Sequence, residues 1–279
     1  MFEPPRVLAW ELTKSCPLKC RHCRASSATV RCAGELSREE CLAAIATCPA
    51  KLIIWTGGEP MIRDDLEELV RAAAARGIRS VMAPCGMMVT KERLERLKVA
   101  GVSACSFSVD GPTREMHDAW RGVDGAWDGV MRAISCAREA GMPFQVNCVV
   151  SRITVDRLGE MQELAAKVGA TRLDLFFLVP TGRAVDLGGL LLSREEMDEV
   201  RSRDFSGLPV HFTCHPAGCM GGRGFAFISA YGELQMCGFC PKVLGSLREC
   251  GFDMGRLFSA VREVPPVGAC RVGYQGLIK

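Results

Sequence analysis

One stretch decides the fold of this chain, Cys16-Pro17-Leu18-Lys19-Cys20-Arg21-His22-Cys23, which closely follows an apolar run at 7–10. Its three cysteines have the spacing C-x3-C-x2-C, so a short loop would direct three thiolates at one metal centre. A structural zinc site and a closed iron–sulfur cluster each usually take four protein ligands. Three thiolates on a cubane leave one iron open, and a substrate can chelate an open iron.

Two simpler interpretations of this loop stay open at this point. His22 or Cys32 could complete a four-ligand zinc knuckle. Free cysteines are also common in protein cores, so the three could be small buried residues. The residues that follow along the chain are needed to choose between these interpretations.

Length and composition exclude several classes of protein. The chain has 279 residues, of which 48% are hydrophobic, enough for one large α/β domain with a small appendage and a substantial core. A net charge of +3 is too small to favour nucleic acid or an anionic membrane as a partner. We see neither a long apolar run that predicts a membrane span nor a signal-peptide pattern, so we expect a cytoplasmic protein. Its 16 cysteines then favour metal binding over a disulfide framework.

Strand-like and helix-like segments alternate in the first two thirds of the chain. Apolar strands are predicted at 7–11, 52–55, 80–83, 104–109, 144–150 and 172–178. Helices are predicted at 37–48, 64–76, 90–100, 126–140 and 154–168, and a glycine follows most of them. Six β/α steps of this kind predict a parallel sheet with helices outside it. The pattern alone does not distinguish an open doubly wound sheet from a partial barrel.

The character of the sequence changes after Pro180, so we predict a first domain at 1–190 and a smaller module at 191–279. Within the module, a turn at Gly232 predicts a β-hairpin that brings Cys219 and Cys237 together. Cys214 and Cys240 would complete a set of four thiolates, with Cys270 in reserve. Zinc suits four cysteines as well as an iron–sulfur cluster does.

Polar residues follow several of the predicted strands, where the sites of parallel α/β folds lie. After the second strand comes Thr56-Gly57-Gly58-Glu59-Pro60, whose glycines would let a ligand approach the backbone and whose glutamate offers a carboxylate. The fourth strand has polar groups on one face, and polar residues alternate along the fifth. These residues are Ser106, Ser108, Asp110, Gln145 and Asn147. They need partners, either neighbouring backbone or a ligand.

Together, the cysteine loop and the Gly57-Gly58-Glu59-Pro60 turn resemble the signature of the radical S-adenosylmethionine (SAM) enzymes in both order and spacing. The resemblance implies a [4Fe-4S] cluster on Cys16, Cys20 and Cys23, whose open iron binds SAM. An electron from the cluster then releases a 5′-deoxyadenosyl radical. The resemblance also favours a partial (β/α)6 TIM-like barrel, and it implies a flavodoxin-type or ferredoxin-type electron donor.

The resemblance assigns SAM contacts to residues at the strand ends. The glycines of the turn contact the methionine end of SAM, Glu59 binds its ammonium, and the Ser108 to Asp110 element contacts the ribose. The predicted cofactor-binding residues are Gly57, Gly58, Glu59, Pro60, Ser108, Asp110 and Asn147. Cys85 stands where family members often have a Thr-Asn-Gly turn. Arg121 belongs to another family-like element, but we expect it to be solvated.

The C-terminal module resembles the SPASM/twitch extension of radical SAM enzymes, which holds auxiliary iron–sulfur clusters. The resemblance implies one auxiliary [4Fe-4S] cluster in this chain. Its predicted ligands are Cys214, Cys219, Cys237 and Cys240. No cysteine follows Cys270, so the module is either degenerate or truncated, and we expect no second auxiliary cluster.

The sequence is most similar to the tetrapyrrole-tailoring branch of the superfamily, in the stretches at 10–13, 176–183 and 219–249. That branch includes enzymes of the alternative haem pathway and a dioxo-haem maturase, which implies a tetrapyrrole substrate. Arg24 and Arg183 would suit its carboxylates. Two alternatives stay open: a peptide maturase, and a non-catalytic iron–sulfur or zinc protein on a decayed scaffold. The intact motifs argue against the second.

Overall fold

The sheet is built outward from β1 (Val7–Glu11), whose apolar residues lead directly into the cysteine loop. In the computed structural model, which describes residues 5–213 and 220–261, β1 runs parallel to β2 (Leu52–Thr56). The next strands are β3 (Arg79–Met82), β4 (Val102–Ser108), β5 (Phe144–Val150), β6 (Leu173–Phe177) and β7 (Val210–Thr213). The last are β8 (Phe225–Ile228), β9 (Glu233–Cys237) and β10 (Cys240–Ser246).

Helices connect the strands on the outside of the sheet. They are α1 (Arg38–Ala46), α2 (Leu66–Ala75), α3 (Lys91–Ala100), α4 (Arg114–Arg121), α5 (Ala126–Glu139), α6 (Leu158–Lys167), α7 (Arg194–Ser202) and α8 (Met254–Ala260). Ser37 begins α1 with a capping box, in which its side chain accepts from the Glu40 N–H and its own N–H donates to the Glu40 carboxylate. Helix α4 was not expected from the sequence, because its buried face contains His117, Trp120 and Arg121 instead of an aliphatic stripe.

The ten strands form one sheet in the order β10-β9-β8-β1-β2-β3-β4-β5-β6-β7. The strands from β8 through β1 to β7 all run parallel, while β8, β9 and β10 pair antiparallel. Within the described part of the chain, β7 and β8 do not pair, so the parallel strands do not close into a complete barrel. This confirms the predicted α/β fold, a partial barrel with a C-terminal hairpin.

The main core lies between the sheet and its helices. Trp10 and Trp55 stack there with ring centroids 5.8 Å apart, and the Trp55 indole N–H donates to Ser80 Oγ at 2.9 Å. Alternate residues of each strand face the opposite side, as the period of two requires. Cys105 and Phe107 therefore enter the core, and the polar residues between and beyond them line the inner face of the sheet. The fold thus places the polar strand residues together on one side.

The hairpin predicted around Gly232 is confirmed. β8 and β9 pair Ile228 with Leu234, and Gly232 has a φ of +85° in the turn between them. These strands extend the same sheet as the barrel, since β8 pairs with β1 while β7 pairs with β6. The division at residue 190 stays a prediction. Within the ranges given above, no helix has the length and apolar character that a membrane span requires.

Candidate active site

The cysteine loop is fixed to the barrel by backbone hydrogen bonds on both sides. The Cys16 N–H donates to the Ala28 carbonyl at 2.8 Å, which ties the loop to the segment that follows it. The Lys19 N–H donates to the Arg121 carbonyl at 3.1 Å, which ties it to the end of α4. Cys16 and Cys20 are buried and Cys23 is half-buried. The three predicted ligands thus sit on a fixed loop at the carboxyl end of β1.

Each sulfur of the loop has a donor directed at it. The Leu18 N–H lies 3.5 Å from Cys16 Sγ, and the Ser27 N–H lies 3.5 Å from Cys23 Sγ. Arg121 Nη1 lies 3.7 Å from Cys20 Sγ. Donors of this kind stabilise sulfurs that have a negative charge, as cluster ligands do. The residues present therefore fit a three-thiolate cluster.

The surroundings of the thiols act on their pKa values in opposite directions. A hydrogen bond with the Cys85 thiol is the main reason why the pKa of Cys16 is lowered, and it outweighs the effect of burial. Burial raises the pKa of Cys20, and the nearby Arg121 guanidinium only partly offsets that effect. A bound cation would favour the thiolate form at both positions.

A buried ion pair lies behind the loop and shows that the expectation of a solvated Arg121 is wrong. Arg121 Nη2 lies 2.7 Å from Asp110 Oδ2, and both side chains are buried. His22 Nε2 lies 3.2 Å from the same oxygen, while Asp110 Oδ1 accepts from the Val149 N–H at 2.8 Å. Burial opposes ionisation of Asp110, but Arg121 and His22 hold its pKa below the usual value. A ribose hydroxyl that contacts Asp110 would have to share this carboxylate with Arg121 and His22.

The Gly57-Gly58-Glu59-Pro60 turn contacts the residues just before the first cysteine, backbone to backbone. The Gly58 N–H donates to the Thr13 carbonyl at 2.6 Å, and the Glu59 N–H donates to the Ser15 carbonyl at 2.7 Å. A Cβ at Gly58 would lie 2.1 Å from the Ser15 carbonyl oxygen. Glycine is therefore required at position 58 for this contact. A side chain there would push away the backbone before Cys16 as well as obstruct a ligand.

Glu59 is fully buried, and both of its carboxylate oxygens accept backbone hydrogen bonds. Oε1 accepts from the Met61 N–H at 2.8 Å and Oε2 accepts from the Cys85 N–H at 2.5 Å. Burial raises the pKa of Glu59 despite these donors. Pro60 begins the short helical turn at 60–62 that Glu59 caps. The predicted contact between Glu59 and the SAM ammonium would compete with the two backbone donors.

A row of polar side chains crosses the inner face of the sheet. Asn147 Nδ2 donates to Ser106 Oγ at 2.7 Å, and Asn147 Oδ1 accepts from Gln145 Nε2 at 2.8 Å. Gln145 also donates to Asp174, at 2.7 Å. Ser108 is half-buried, and its hydroxyl has no hydrogen-bond partner among the residues described. Of the predicted SAM contacts on this face, Ser108 and Asn147 are therefore partly accessible.

Arg24 and Arg183 already have protein partners. Arg24 lies 3.1 Å from the buried Glu11 carboxylate and stacks over the Phe227 ring at 4.5 Å. Arg183 donates from Nε to the Cys20 carbonyl and from Nη1 to the Ser27 carbonyl, both at 2.8 Å. Both arginines thus hold the cysteine loop in place, and a substrate carboxylate would have to share them.

Two of the four predicted auxiliary ligands lie within the described residues. Cys237 and Cys240 stand opposite each other at the turn between β9 and β10. Cys214 and Cys219 lie outside the described residues, as does Cys270. In the ranges that the structure describes, no three His, Cys, Asp or Glu side chains converge on a single metal ion, and this includes Cys16, Cys20 and Cys23. A [4Fe-4S] cluster binds each of its thiolates at a different iron, so the loop does not need such convergence to hold one.

Residues 10–165 match the family model described as the radical SAM superfamily. The chain belongs to the radical SAM superfamily. It is a radical SAM enzyme, and membership implies a [4Fe-4S] cluster and SAM as its cofactors. These findings confirm the resemblance inferred from the cysteine loop and the glycine turn.

Individual relatives of this radical SAM enzyme come from two functional groups. The AdoMet-dependent heme synthase of Oleidesulfovibrio alaskensis is 38% identical over 283 residues, which cover 88% of this chain and 73% of the relative. The PqqA peptide cyclase of Granulibacter bethesdensis is 31% identical over 256 residues, covering 85% and 68%. The structure of Streptococcus suis SuiB bound to the precursor peptide SuiA has a TM-score of 0.73 and 16% identity. That alignment covers 96% of this chain and 66% of SuiB, and it shows the fold alone.

Proposed function

We propose that this enzyme cleaves SAM reductively at a [4Fe-4S] cluster held by Cys16, Cys20 and Cys23, and that the radical modifies side chains of a tetrapyrrole. The observation that supports it most directly is the fixed cysteine loop, in which every sulfur has a hydrogen-bond donor. When bound, the cluster supplies the electron that breaks a carbon–sulfur bond of SAM.

The protein's own part in this reaction is to position the cluster and SAM and to exclude water from them. Buried surroundings at Cys16 and Cys20 keep solvent from the sulfurs, and Arg121 places a positive charge beside Cys20. Ser108 and Asn147 offer polar groups on the inner face of the sheet, where we propose that they contact SAM. Gly57, Gly58, Glu59, Pro60 and Asp110 complete the proposed set of SAM-binding residues, and the turn that holds the first four is hydrogen-bonded to the segment before Cys16.

The substrate proposal is supported by the heme synthase relative at 38% identity, which is the higher of the two identities reported above. A tetrapyrrole of haem-forming pathways has carboxylate side chains. Loss or oxidation of such a side chain is a reaction that a carbon-centred radical can begin. Because β7 and β8 do not pair in the described part of the chain, the parallel strands leave an open side of the kind a large planar substrate needs.

The cluster proposal is tested on anaerobically reconstituted protein by measuring 5′-deoxyadenosine after reduction. We expect Cys16→Ala, Cys20→Ala and Cys23→Ala each to abolish its formation. Cys105→Ala is the matched control, since Cys105 is a buried cysteine of the main core and should be dispensable. Full activity in any one of the three loop variants would contradict the proposed ligand set.

The substrate is tested by adding an iron porphyrin with propionate side chains to the reduced enzyme and SAM. We expect the porphyrin to lose mass in proportion to the 5′-deoxyadenosine formed. A peptide maturase is the second candidate, supported by the peptide cyclase relative at 31% identity. A porphyrin that stays unchanged while a precursor peptide is crosslinked would favour that candidate.

We also propose an auxiliary [4Fe-4S] cluster on Cys214, Cys219, Cys237 and Cys240, and a flavodoxin-type or ferredoxin-type electron donor. The opposition of Cys237 and Cys240 at a tight turn supports the first proposal, because it brings two thiols to one place. A variant without Cys16, Cys20 and Cys23 should still bind roughly four irons. Zinc without iron in that variant would contradict the auxiliary cluster. If neither a flavodoxin nor a ferredoxin reduces the cluster, the proposed electron donor is contradicted.

A further inference from the structure

Cys85 is held rigidly in the turn that follows β3. Its backbone N–H donates to the buried Glu59 carboxylate at 2.5 Å. The next residue, Gly86, has a φ of +95°, and a Cβ there would lie 2.7 Å from the Cα of Val130 in α5. The backbone of the turn is therefore fixed by Glu59, which follows β2, on one side and by α5 on the other.

The Cys85 side chain lies among the residues of the cysteine loop. A small cluster of buried residues, separate from the main core, contains Cys16, Leu18, Cys20 and Ala126, and Cys85 packs against it. Within this cluster the Cys85 thiol lies close enough to the Cys16 sulfur for each to shift the pKa of the other. By contrast, the buried thiols of Cys41 and Cys105 belong to the main core. The structure thus brings a fourth thiol to a site whose signature accounts for three.

We propose that Cys85 is a positioning residue whose thiol donates a hydrogen bond to the Cys16 sulfur and thereby tunes the cluster. The proposal rests on the ligation of the cluster by Cys16 proposed above. A donor to a cluster sulfur stabilises the more negative, reduced form, so it raises the reduction potential. Cys85 would therefore make the cluster easier to reduce before SAM is cleaved.

The geometry favours a donor over a fourth ligand. Cys85 packs against the cluster of buried residues that contains Cys16, itself a proposed ligand, and its backbone is fixed by a hydrogen bond to Glu59. A thiol that lies beside a ligand sulfur can donate its proton without reaching an iron atom. The iron that the three cysteines leave open then remains free for SAM.

The test compares Cys85→Ala with Cys85→Ser, because serine keeps a donor and alanine does not. The readout is the reduction potential of the cluster whose EPR signal changes when SAM is added, which excludes any auxiliary cluster. We expect a lower potential in Cys85→Ala and a potential near the wild-type value in Cys85→Ser. Cys105→Ala, which removes a thiol from the main core, should leave the potential unchanged.

A second readout detects the donated proton itself. After transfer of the protein to D2O, pulsed EPR should show a coupled exchangeable deuteron in wild type and Cys85→Ser that is weaker or absent in Cys85→Ala. Equal potentials and equal couplings in all three proteins would overturn the proposal. Loss of iron from Cys85→Ala and its retention in Cys85→Ser would also overturn it, since Cys85 would then be a ligand. If wild type has no SAM-responsive cluster, the proposed function itself fails, which is a distinct result.

Discussion

Arg121 shows how a single side chain can connect the cluster loop to the interior of the barrel. Its guanidinium contacts the Cys20 sulfur and the Asp110 carboxylate, and all three groups are buried. Removing one partner of a buried ion pair is costly because the other charge stays in a poorly solvated place. Arg121 is therefore expected to matter for stability as well as for the loop.

We predict that Arg121→Gln lowers the free energy of unfolding of the cluster-free protein by about 3–5 kcal/mol, because Asp110 loses its cation. Arg114→Gln is the matched control on the same helix, since Arg114 pairs with Asp128 in an exposed position. That control should change stability by no more than about 1 kcal/mol. Urea titration measures both values, and equal losses would contradict the prediction.

His117 gives the protein a pH-dependent stability. Burial, and next the Arg121 guanidinium, lowers the pKa of His117 from its usual 6.5 to about 4. The unfolded chain therefore binds a proton at this residue between about pH 6.5 and 4, while the folded protein does not. The stability that the uncharged His117 side chain contributes to the folded protein is complete above pH 6.5 and is lost as the pH falls towards 4.

We predict that His117→Asn makes this pH dependence shallower, by up to about 1.4 kcal/mol for each pH unit inside that window. Asparagine can still accept the Asp110 N–H, which His117 Nδ1 accepts at 3.2 Å, but it does not titrate. The measurement is the unfolding free energy at several pH values from 4 to 7. Parallel curves for variant and wild type would show that His117 is not the titrating group.

At the scale of residues, the sequence predicted which side chains gather at the site, but it could not predict their partners. The period of two correctly placed Ser106 and Ser108 on the face of β4 opposite the main core, and Asp110 lies just beyond the end of that strand. The burial of Arg121 was missed because an arginine side chain is usually solvated. Only the folded chain shows that this arginine reaches Asp110 and Cys20 from α4.

At the scale of elements, the Gly57-Gly58-Glu59-Pro60 turn after β2 is hydrogen-bonded to the segment that precedes Cys16. Its glycines bring two backbones into contact, and the Gly58 N–H to Thr13 carbonyl distance is 2.6 Å. A change in this turn must therefore move the cysteine loop. The element that was predicted to bind SAM has at least this structural role.

We predict that Gly58→Ala reduces the iron content after anaerobic reconstitution and lowers the free energy of unfolding, because its Cβ would overlap the Ser15 carbonyl. Gly159→Ala is the control, since nothing lies within 4 Å of a Cβ at this position in α6. That control should be neutral or stabilising by up to about 1 kcal/mol. Iron content at the wild-type level in Gly58→Ala would contradict the prediction.

Most elements could be predicted from local signals, while α4 could not. Ser37 and Glu40 identified the start of α1, and glycines identified the ends of several helices. Helix α4 has only eight residues, and its buried face is made of polar and aromatic side chains that no apolar period reveals. Helix α4 holds Arg121 behind the cysteine loop, and the residues that make this contact stand where an apolar stripe would normally be.

In the whole molecule, Arg24 joins the cysteine loop to the C-terminal hairpin. It pairs with Glu11 on β1, stacks over Phe227 on β8, and lies close to Gly238, where a Cβ would come within 2.9 Å of its Cδ. The planar guanidinium makes these contacts together, and a lysine ammonium cannot. The loop and the hairpin are therefore expected to respond together to a change at this position.

We predict that Arg24→Lys increases hydrogen exchange in the segments at 16–23 and 225–237, since the cation–π contact is weakened while the charge is kept. Arg223→Lys is the control, because Arg223 is exposed beside the same hairpin. Exchange followed by mass spectrometry gives both results. An increase confined to one of the two segments would show that Arg24 does not couple them.

The pairing of β1 with β8 could not be predicted from the sequence, because no local signal links Val7 to Phe225. The sequence indicated a separate module, and the structure places its strands at both edges of the barrel sheet. Such long-range pairing depends on which edges the earlier strands leave free. Only the complete sheet identifies the outer edge of β1 as the place where β8 adds.

This pairing also sets an order of events during synthesis. β1 and the cysteine loop leave the ribosome early, but the strand that covers the outer edge of β1 comes more than two hundred residues later. At roughly 5–20 residues per second, the delay is on the order of ten to forty seconds. Throughout that time the outer edge of β1 has no partner strand, and Arg24 beside the loop lacks the Phe227 ring over which it later stacks. The surroundings of the cysteine loop are thus complete only when β8 docks on β1.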